Sequence, residues 1–488
     1  MIVRIVQIWV KKHPLLEKQI IERFSLEQFI GLPLTLLASI FLLCIALLIG
    51  VIQDYLAHDP LIFVDVRVTN LMYTFRNDAW LRFFYFVTLL AESVIIIVLS
   101  TLLSIFLWVR RARLYICTLW FALMVGDGFT FFGKHLFQRT RPDVLLRAVT
   151  ENTYSFPSGH ATTVVLFYGF IAYLVVRNHR SWKLRMVTLT LLLVIVVLVD
   201  LSRIYLGVHY VSDVIAGNLV GFAALLLAIG MTEWITAKKP LLTPNKRVTV
   251  GVAYTLVLVV VFITIGYALS PPPMLAFRSL PVQHIDVRGV LLLFDKKVIP
   301  RFTETLAGQA EEPINLLVVS PERCFTSDML KANWQLAESI TLRSAEKLSK
   351  DVLLNEPYPT APVTPSFYNA EPNDYGFEKQ TETNSIRARH HARFWNTGYL
   401  TPSGYLYIGT VSLDTGIKWG ITHHIAPDID TDRDLLVSDL TQAGVVEKSE
   451  LVQFIPPSLG KNFLGDQFFT NGKAALIVFR QCDDDKTK

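Results

Sequence analysis

Three short segments carry residues whose types and spacing suit chemistry on phosphorus. Lys134 with Arg141-Pro142 forms the first, Pro157-Ser158-Gly159-His160 the second, and Ser202-Arg203 with His209 and Asp213 the third. A phosphoryl group in transfer spreads negative charge over its equatorial oxygens, so a site for it needs several fixed cations. Lys134, Arg141 and Arg203 supply three. Arginine meets phosphate with a planar fork, lysine with a point charge. Ser158 and Gly159 stand where a helix is expected to begin; the free N–H groups and dipole there favour an anion, and Gly159 lets the backbone come close. Two histidines allow one to attack phosphorus as neutral imidazole while the other protonates the leaving oxygen. Asp213 lies one helical turn after His209, within reach of the other ring N–H, which would fix the tautomer. Each segment alone has an ordinary explanation: Pro-Ser as a helix start, Lys134 and Arg141 as headgroup anchors, His209 with Asp213 as a helix-end hydrogen bond. Their joint occurrence argues for chemistry.

In order and spacing the segments resemble the signature of the type 2 phosphatidic acid phosphatase superfamily, and the likeness covers about residues 30–235. The resemblance implies a membrane enzyme of six spans in which His209 forms a phosphohistidine and His160 is the acid that water later meets as base. It implies no metal and no other cofactor. Asp65 and Arg76 match acidic and basic positions often seen before the second span and are expected to be structural. Glu92 and Asp127 are expected to hydrogen-bond between helices.

The elements that must position these residues are apolar helices. The chain has 488 residues, mean hydropathy +0.41, 52% hydrophobic and 18% charged residues, so lipid must be part of its solvent. A bilayer core needs about 20 apolar residues per helix, and seven stretches qualify or nearly do: about 32–53, 82–109, 113–136, 158–177, 184–206, 211–234 and 248–269. The expected fold is an all-α polytopic membrane bundle, six phosphatase spans plus a seventh, followed by a soluble α/β domain. The expected divisions are a cytoplasmic segment 1–31, the six-span domain 32–235, a basic loop with the seventh span at 236–270, and the second domain at 280–488. Basic residues recur in alternate connections (Lys11, Lys12 and Arg23; Arg110, Arg111 and Arg113; Arg177, Arg180, Lys183 and Arg185; Lys238, Lys239, Lys246 and Arg247), which assigns those to the cytoplasm. The loop 137–157 then faces outward, although Arg139, Arg141 and Arg147 break the charge rule there. The formal net charge of +5, scattered in short clusters, argues against a nucleic-acid partner. The expected setting is the cell membrane of a bacterium, with the site and the second domain outside the cytoplasm.

Beyond Pro271-Pro272-Pro273, short apolar runs alternate with helical patterns such as 327–348, the pattern of a mixed α/β domain. The segments around Arg387–Trp395 and His423–Asp434 resemble the LssY C-terminal domain, a likeness that supplies no activity. His391, His423, His424, Asp428 and Asp430 could form a second polar site of mixed nitrogen and oxygen ligands; a network tying two loops together is the simpler expectation. Cys324 and Cys482 would share an oxidising compartment, where a disulfide between them is one option.

The function expected from these readings is hydrolysis of a lipid phosphomonoester or pyrophosphate at the outer leaflet. Candidate substrates are undecaprenyl pyrophosphate, phosphatidic acid, phosphatidylglycerol phosphate or a lipid A phosphate. The alternatives are a lipid phosphotransferase, and a membrane protein that binds lipid phosphate without turnover.

Overall fold

The computed structural model describes residues 23, 25, 29, 31–238, 258–259, 261–267, 269, 281–418, 422–462 and 465–481. Two compact units divide the chain, Met1–Phe277 and Arg278–Lys488.

The first unit is helical. Its elements are α1 (Leu32–Ala57), α2 (Pro60–Thr74), α3 (Asp78–Thr88, extended by a 3-10 turn at Leu89–Ala91), α4 (Ser93–Val109), α5 (Arg113–Phe137), α6 (Gly159–Asn178), α7 (Trp182–Tyr205) and α8 (Val211–Lys238). Among the described residues, α1, α5, α6, α7 and α8 are each long and apolar enough to cross a membrane. The segments Asp78–Ala91 and Ser93–Val109 qualify together, bent by 43°. These elements coincide with the first six expected stretches; the seventh falls mostly outside the described residues. The sequence reading missed α2, because its apolar run is interrupted by Asp65, Arg67, Thr69 and Asn70, all of which the fold buries.

α6 is the hub of this unit. Val164 to Phe167, Phe170 and Leu174 are all buried, whereas α1 and α7 turn residues such as Leu42 and Leu193 outward, as helices bordering lipid do. α6 begins where the sequence suggests: Ser158 caps it, its side chain accepting from the Ala161 N–H. α8 approaches that cap closely, for a Cβ on Gly217 would lie 2.4 Å from the Ser158 carbonyl oxygen. Gly207, with φ +69°, makes the turn between α7 and His209, where a Cβ would strike the Leu146 carbonyl.

The second unit is built on a mixed sheet. Its main strands are β1 (Leu316–Ser320), β2 (Gln335–Leu336), β3 (Tyr375–Gln380), β4 (Arg389–Thr401), β5 (Gly404–Lys418), β6 (Thr422–Ile425), β7 (Val446–Gln453) and β8 (Lys473–Phe479). The order is β7-β8-β1-β5-β4-β3-β2, with β6 paired to β5. The β8–β1 pair is parallel, and its neighbours β1–β5, β5–β4 and β4–β3 are antiparallel. Helices Glu322–Lys331 and Ile429–Gln442 cover one face through Phe325, Met329, Leu436 and Leu440. The other face packs Trp395, Leu406 and Ile408 against Val290 and Phe294 of a short helix. Cys324 is disulfide-bonded, Cys44 and Cys117 are free, and Cys482 lies outside the described residues.

Candidate active site

One end of the bundle gathers the three sequence segments. Lys134 comes from the last turn of α5, Ser158, Gly159 and His160 from the start of α6, Arg203 from the last turn of α7, and Asp213 from the first turn of α8. Arg141 hangs from the α5–α6 loop and His209 from the α7–α8 turn. The Ser158 N–H donates to the Asp213 carbonyl at 2.9 Å, locking the α6 and α8 starts together.

His209 is 1% exposed. Its Nδ1 lies 3.4 Å from Asp213 Oδ2, and its Nε2 lies 3.2 Å from Arg141 Nη1. A guanidinium can only donate and an ionised carboxylate can only accept, so these neighbours assign the proton to Nδ1 and the lone pair to Nε2. Burial, followed by Arg141, Arg203 and Lys134, holds the imidazole well below its ordinary value of 6.5. It is neutral at neutral pH, and its Nε2 lone pair accepts from the Arg141 guanidinium.

Asp213 is held by more than His209. Arg139 pairs with Asp213 Oδ1 and Asp65 Oδ2, each at 2.7 Å, and its Nη1 donates to Ser212 Oγ at 2.6 Å. Asp65 in turn accepts from the Ser212 N–H at 2.9 Å. All four side chains are buried. The charge pattern of the loop flagged Arg139 as anomalous; its place between two buried carboxylates explains the anomaly. Asp65 acts in this network rather than at the reacting end. Arg76 ties the α3 side to the loop, donating to the Tyr205 and Leu146 carbonyls at 3.0 and 2.6 Å.

Two glutamates complete the site. Glu151 pairs with Arg203 and, at 3.4 Å, with Arg141, so one carboxylate occupies both arginine forks. Burial alone would raise this carboxyl, but Arg203 and Arg141 hold it at about 2. Glu92, at the break between α3 and α4, reaches His160 Nε2 at 3.5 Å. Sequence reasoning did not single out Glu151 and gave Glu92 a helix-to-helix role. The usable signal for Glu151 was an acidic residue between two expected phosphate-binding segments. Asp127 does bond between helices, accepting from Thr163 Oγ1 at 3.1 Å. A Cβ on Gly159 would meet only Thr130 Cγ2, at 3.8 Å, so no protein neighbour demands glycine there.

Among the described residues, the members of the second polar group read from the sequence take separate partners. His391 faces Asp414 at 3.0 Å, His424 faces Asp466 at 2.7 Å, Asp428 caps a helix by accepting from the Asp430 N–H, and Asp430 pairs with Arg433 at 2.9 Å. The His423 side chain lies outside the described residues. Among the described residues no group of three or more His, Cys, Asp or Glu is arranged to hold a metal ion.

Bundle and site define a class. Residues 114–237 match the PAP2 superfamily and residues 296–474 the LssY C-terminus, so the chain carries a PAP2 superfamily domain followed by an LssY C-terminal domain. Particular relatives are similar to parts of it. Phosphatidylglycerophosphatase B of Bacillus subtilis (strain 168) is 40% identical over 104 residues, which make up 21% of this chain and 50% of that protein. A protein of Escherichia coli (strain K12) named YbjG, described as a candidate undecaprenyl-diphosphatase, is 32% identical over 143 residues, 27% of this chain and 66% of that protein. A solved transmembrane PAP2 type phosphatidylglycerolphosphate phosphatase from Bacillus subtilis is 24% identical, with 41% of this chain and 96% of that one covered at a TM-score of 0.35. The chain thus spans between half and two thirds of the length of the curated relatives it matches.

Proposed function

We propose that the protein removes phosphate from a lipid phosphomonoester or diphosphate, with His209 as nucleophile. The observation that carries this reading is the placement of Arg141, whose guanidinium lies beside His209 Nε2 while pairing with a carboxylate that phosphate can replace. A phosphoryl group held between Arg141 and Arg203 lies next to the Nε2 lone pair. Attack forms a phosphorus–nitrogen bond and breaks the bond to the lipid oxygen, which takes its proton from His160. The positive charge left on the imidazole is stabilised by Asp213, itself fixed by Arg139. Water then attacks the phosphohistidine, giving its proton to His160 and releasing phosphate. Lys134 adds a third cation to the same space.

Similarity to a phosphatidylglycerophosphatase and to a candidate undecaprenyl-diphosphatase favours phosphatidylglycerol phosphate or undecaprenyl diphosphate as the substrate in this reading. The site opens toward the outer leaflet in this reading, supported by the basic alternate loops of the first unit. Release of inorganic phosphate from those two lipids by the purified protein, with His209→Ala as control, tests the reading; equal release by both proteins refutes it.

A further inference from the structure

Between Arg82 and Arg110 the chain carries one charged residue, Glu92, in a stretch otherwise fit for lipid. An ionisable side chain there is costly and marks a functional position. Glu92 stands at the break between α3 and α4, where the two segments bend by 43° and its own backbone is extended, with φ −64° and ψ 128°. It occupies the N-cap position of α4, yet its side chain caps nothing. The positive end of α4 favours an ionised carboxylate, and that carboxylate turns to α6, where Oε2 lies 3.5 Å from His160 Nε2. The nitrogen is buried and has no other partner among the described residues. Two contacts hold the break in this register. Tyr168, about two turns along α6 from His160, donates to the Leu90 carbonyl at 3.0 Å, and Arg203 donates to Thr88 Oγ1 at 2.9 Å. The end of α3 thus supports the arginine through Thr88 and reaches the histidine through Glu92.

The three sequence segments give His209 a carboxylate, Asp213, and give His160 none. An acid–base histidine must exist as imidazolium before the lipid oxygen leaves, and its surroundings decide whether it does. Arg203 from α7 opposes a proton on the His160 ring, whereas Glu92 from the α3–α4 break and Glu151 from the α5–α6 loop favour one. Lys134 of α5 and Asp213 of α8 act on His209. Glu151 sits on the arginine forks, where phosphate replaces it in the proposed reaction. Glu92 is the carboxylate that stays.

We propose that Glu92 is the positioning residue for the acid–base histidine, keeping a proton on His160 Nε2 so that Nδ1 serves the reacting oxygens, and stabilising the imidazolium. The proposal rests on the phosphatase reading. In the first half-reaction the Nδ1 proton passes to the lipid oxygen as the bond from phosphorus to His209 forms and the bond from phosphorus to that oxygen breaks. In the second, neutral Nδ1 takes a proton from the water that attacks the phosphohistidine. Glu92 stays ionised throughout.

The test compares wild type, Glu92→Gln and Glu92→Asp in detergent, with His209→Ala as a check on the underlying reading. The probes are a short-chain lipid phosphate, whose alkoxide needs a proton to leave, and p-nitrophenyl phosphate, whose aryl oxide does not. In Glu92→Gln, kcat/KM for the lipid phosphate should fall about tenfold to a hundredfold, part of what a general acid supplies, with little change for p-nitrophenyl phosphate. The alkaline limb of its pH profile should move down by about one pH unit or more. Glu92→Asp, which keeps the charge, should restore part of the lipid activity. Misfolding lowers both activities alike, so their ratio reads the role of Glu92 whatever the folded fraction. An unchanged ratio in Glu92→Gln overturns the proposal. So does an alkaline limb at the wild-type pH, or Glu92→Asp no more active than Glu92→Gln. If His209→Ala hydrolyses both substrates as fast as wild type, the phosphatase reading itself fails instead.

Discussion

Glu151→Gln should turn inorganic phosphate into a stronger inhibitor. The Glu151 carboxylate lies on Arg203 and Arg141, the two arginines proposed to hold phosphate. Its carboxyl is held at about 2 against an ordinary 4.5, a displacement worth about 3 kcal/mol of interaction between the charged form and its partners. Phosphate has to displace that carboxylate before it can occupy the forks. Glutamine keeps the size and one hydrogen-bonding oxygen but removes the charge, so part of that energy returns to the incoming anion. If half to all of it does, the inhibition constant for phosphate falls about tenfold to a hundredfold. KM for the lipid phosphate should fall in the same direction, and kcat should drop as release of phosphate slows. The assay is steady-state hydrolysis of a short-chain lipid phosphate with added phosphate, at pH 7 and constant ionic strength. An unchanged or weaker inhibition by phosphate, in a variant with wild-type unfolding temperature, would refute the reasoning. It would mean that Glu151 organises the arginines instead of competing for them.

Other consequences follow from the same geometry. Because burial and three cations depress the His209 pKa, the acid limb of kcat/KM set by this group should lie below pH 6.5, with activity lost only as pH falls through the depressed value. An acid limb of the wild-type profile centred at or above 6.5 would contradict the assignment. Arg139→Met leaves Asp65 and Asp213 facing each other without their shared cation; it should cost about 3 kcal/mol or more of stability, read by thermal unfolding in detergent, with activity falling in parallel. Gly217→Ala drives a methyl group to 2.4 Å from the Ser158 carbonyl, so α8 must move from the α6 cap, and kcat should fall more than KM rises. In a background free of Cys44 and Cys117, Asn152→Cys should react with a membrane-impermeant thiol reagent from outside the cell. Labelling only from the cytoplasmic side would reverse the proposed orientation.

The residues gathered at one end of the bundle were more legible in the sequence than the contacts that support them. Apolar runs long enough to span a bilayer give α1 and α4 to α8 directly, and three spaced motifs give the residues gathered at their ends. Helix α2 was hidden because Asp65, Arg67, Thr69 and Asn70 interrupt its apolar run, and the burial of Asp65 makes sense only once Arg139 appears beside it. Glu151 was hidden for a related reason. A lone acid in a polar loop carries no periodicity, and only the folded loop brings it onto two arginines 10 and 52 positions away in the chain. In the second domain, the clustered histidines and aspartates near residues 423–434 drew attention by their proximity in sequence, yet among the described residues His424, Asp428 and Asp430 each take a separate partner. The buried array that the fold does assemble draws Glu378, His391 and Ser412 from three strands through register, which no local pattern announces.

The central claim, attack by His209 on phosphorus, is tested most directly by trapping the intermediate. Protein mixed with a lipid phosphate labelled on phosphorus and quenched within milliseconds should carry label that is stable to base and labile to acid, as a phosphorus–nitrogen bond is. The label should accumulate in His160→Asn where its hydrolysis is slowed, and peptide mapping should place it on His209. Turnover with no such label in either protein, or label that persists in His209→Ala, would contradict the account.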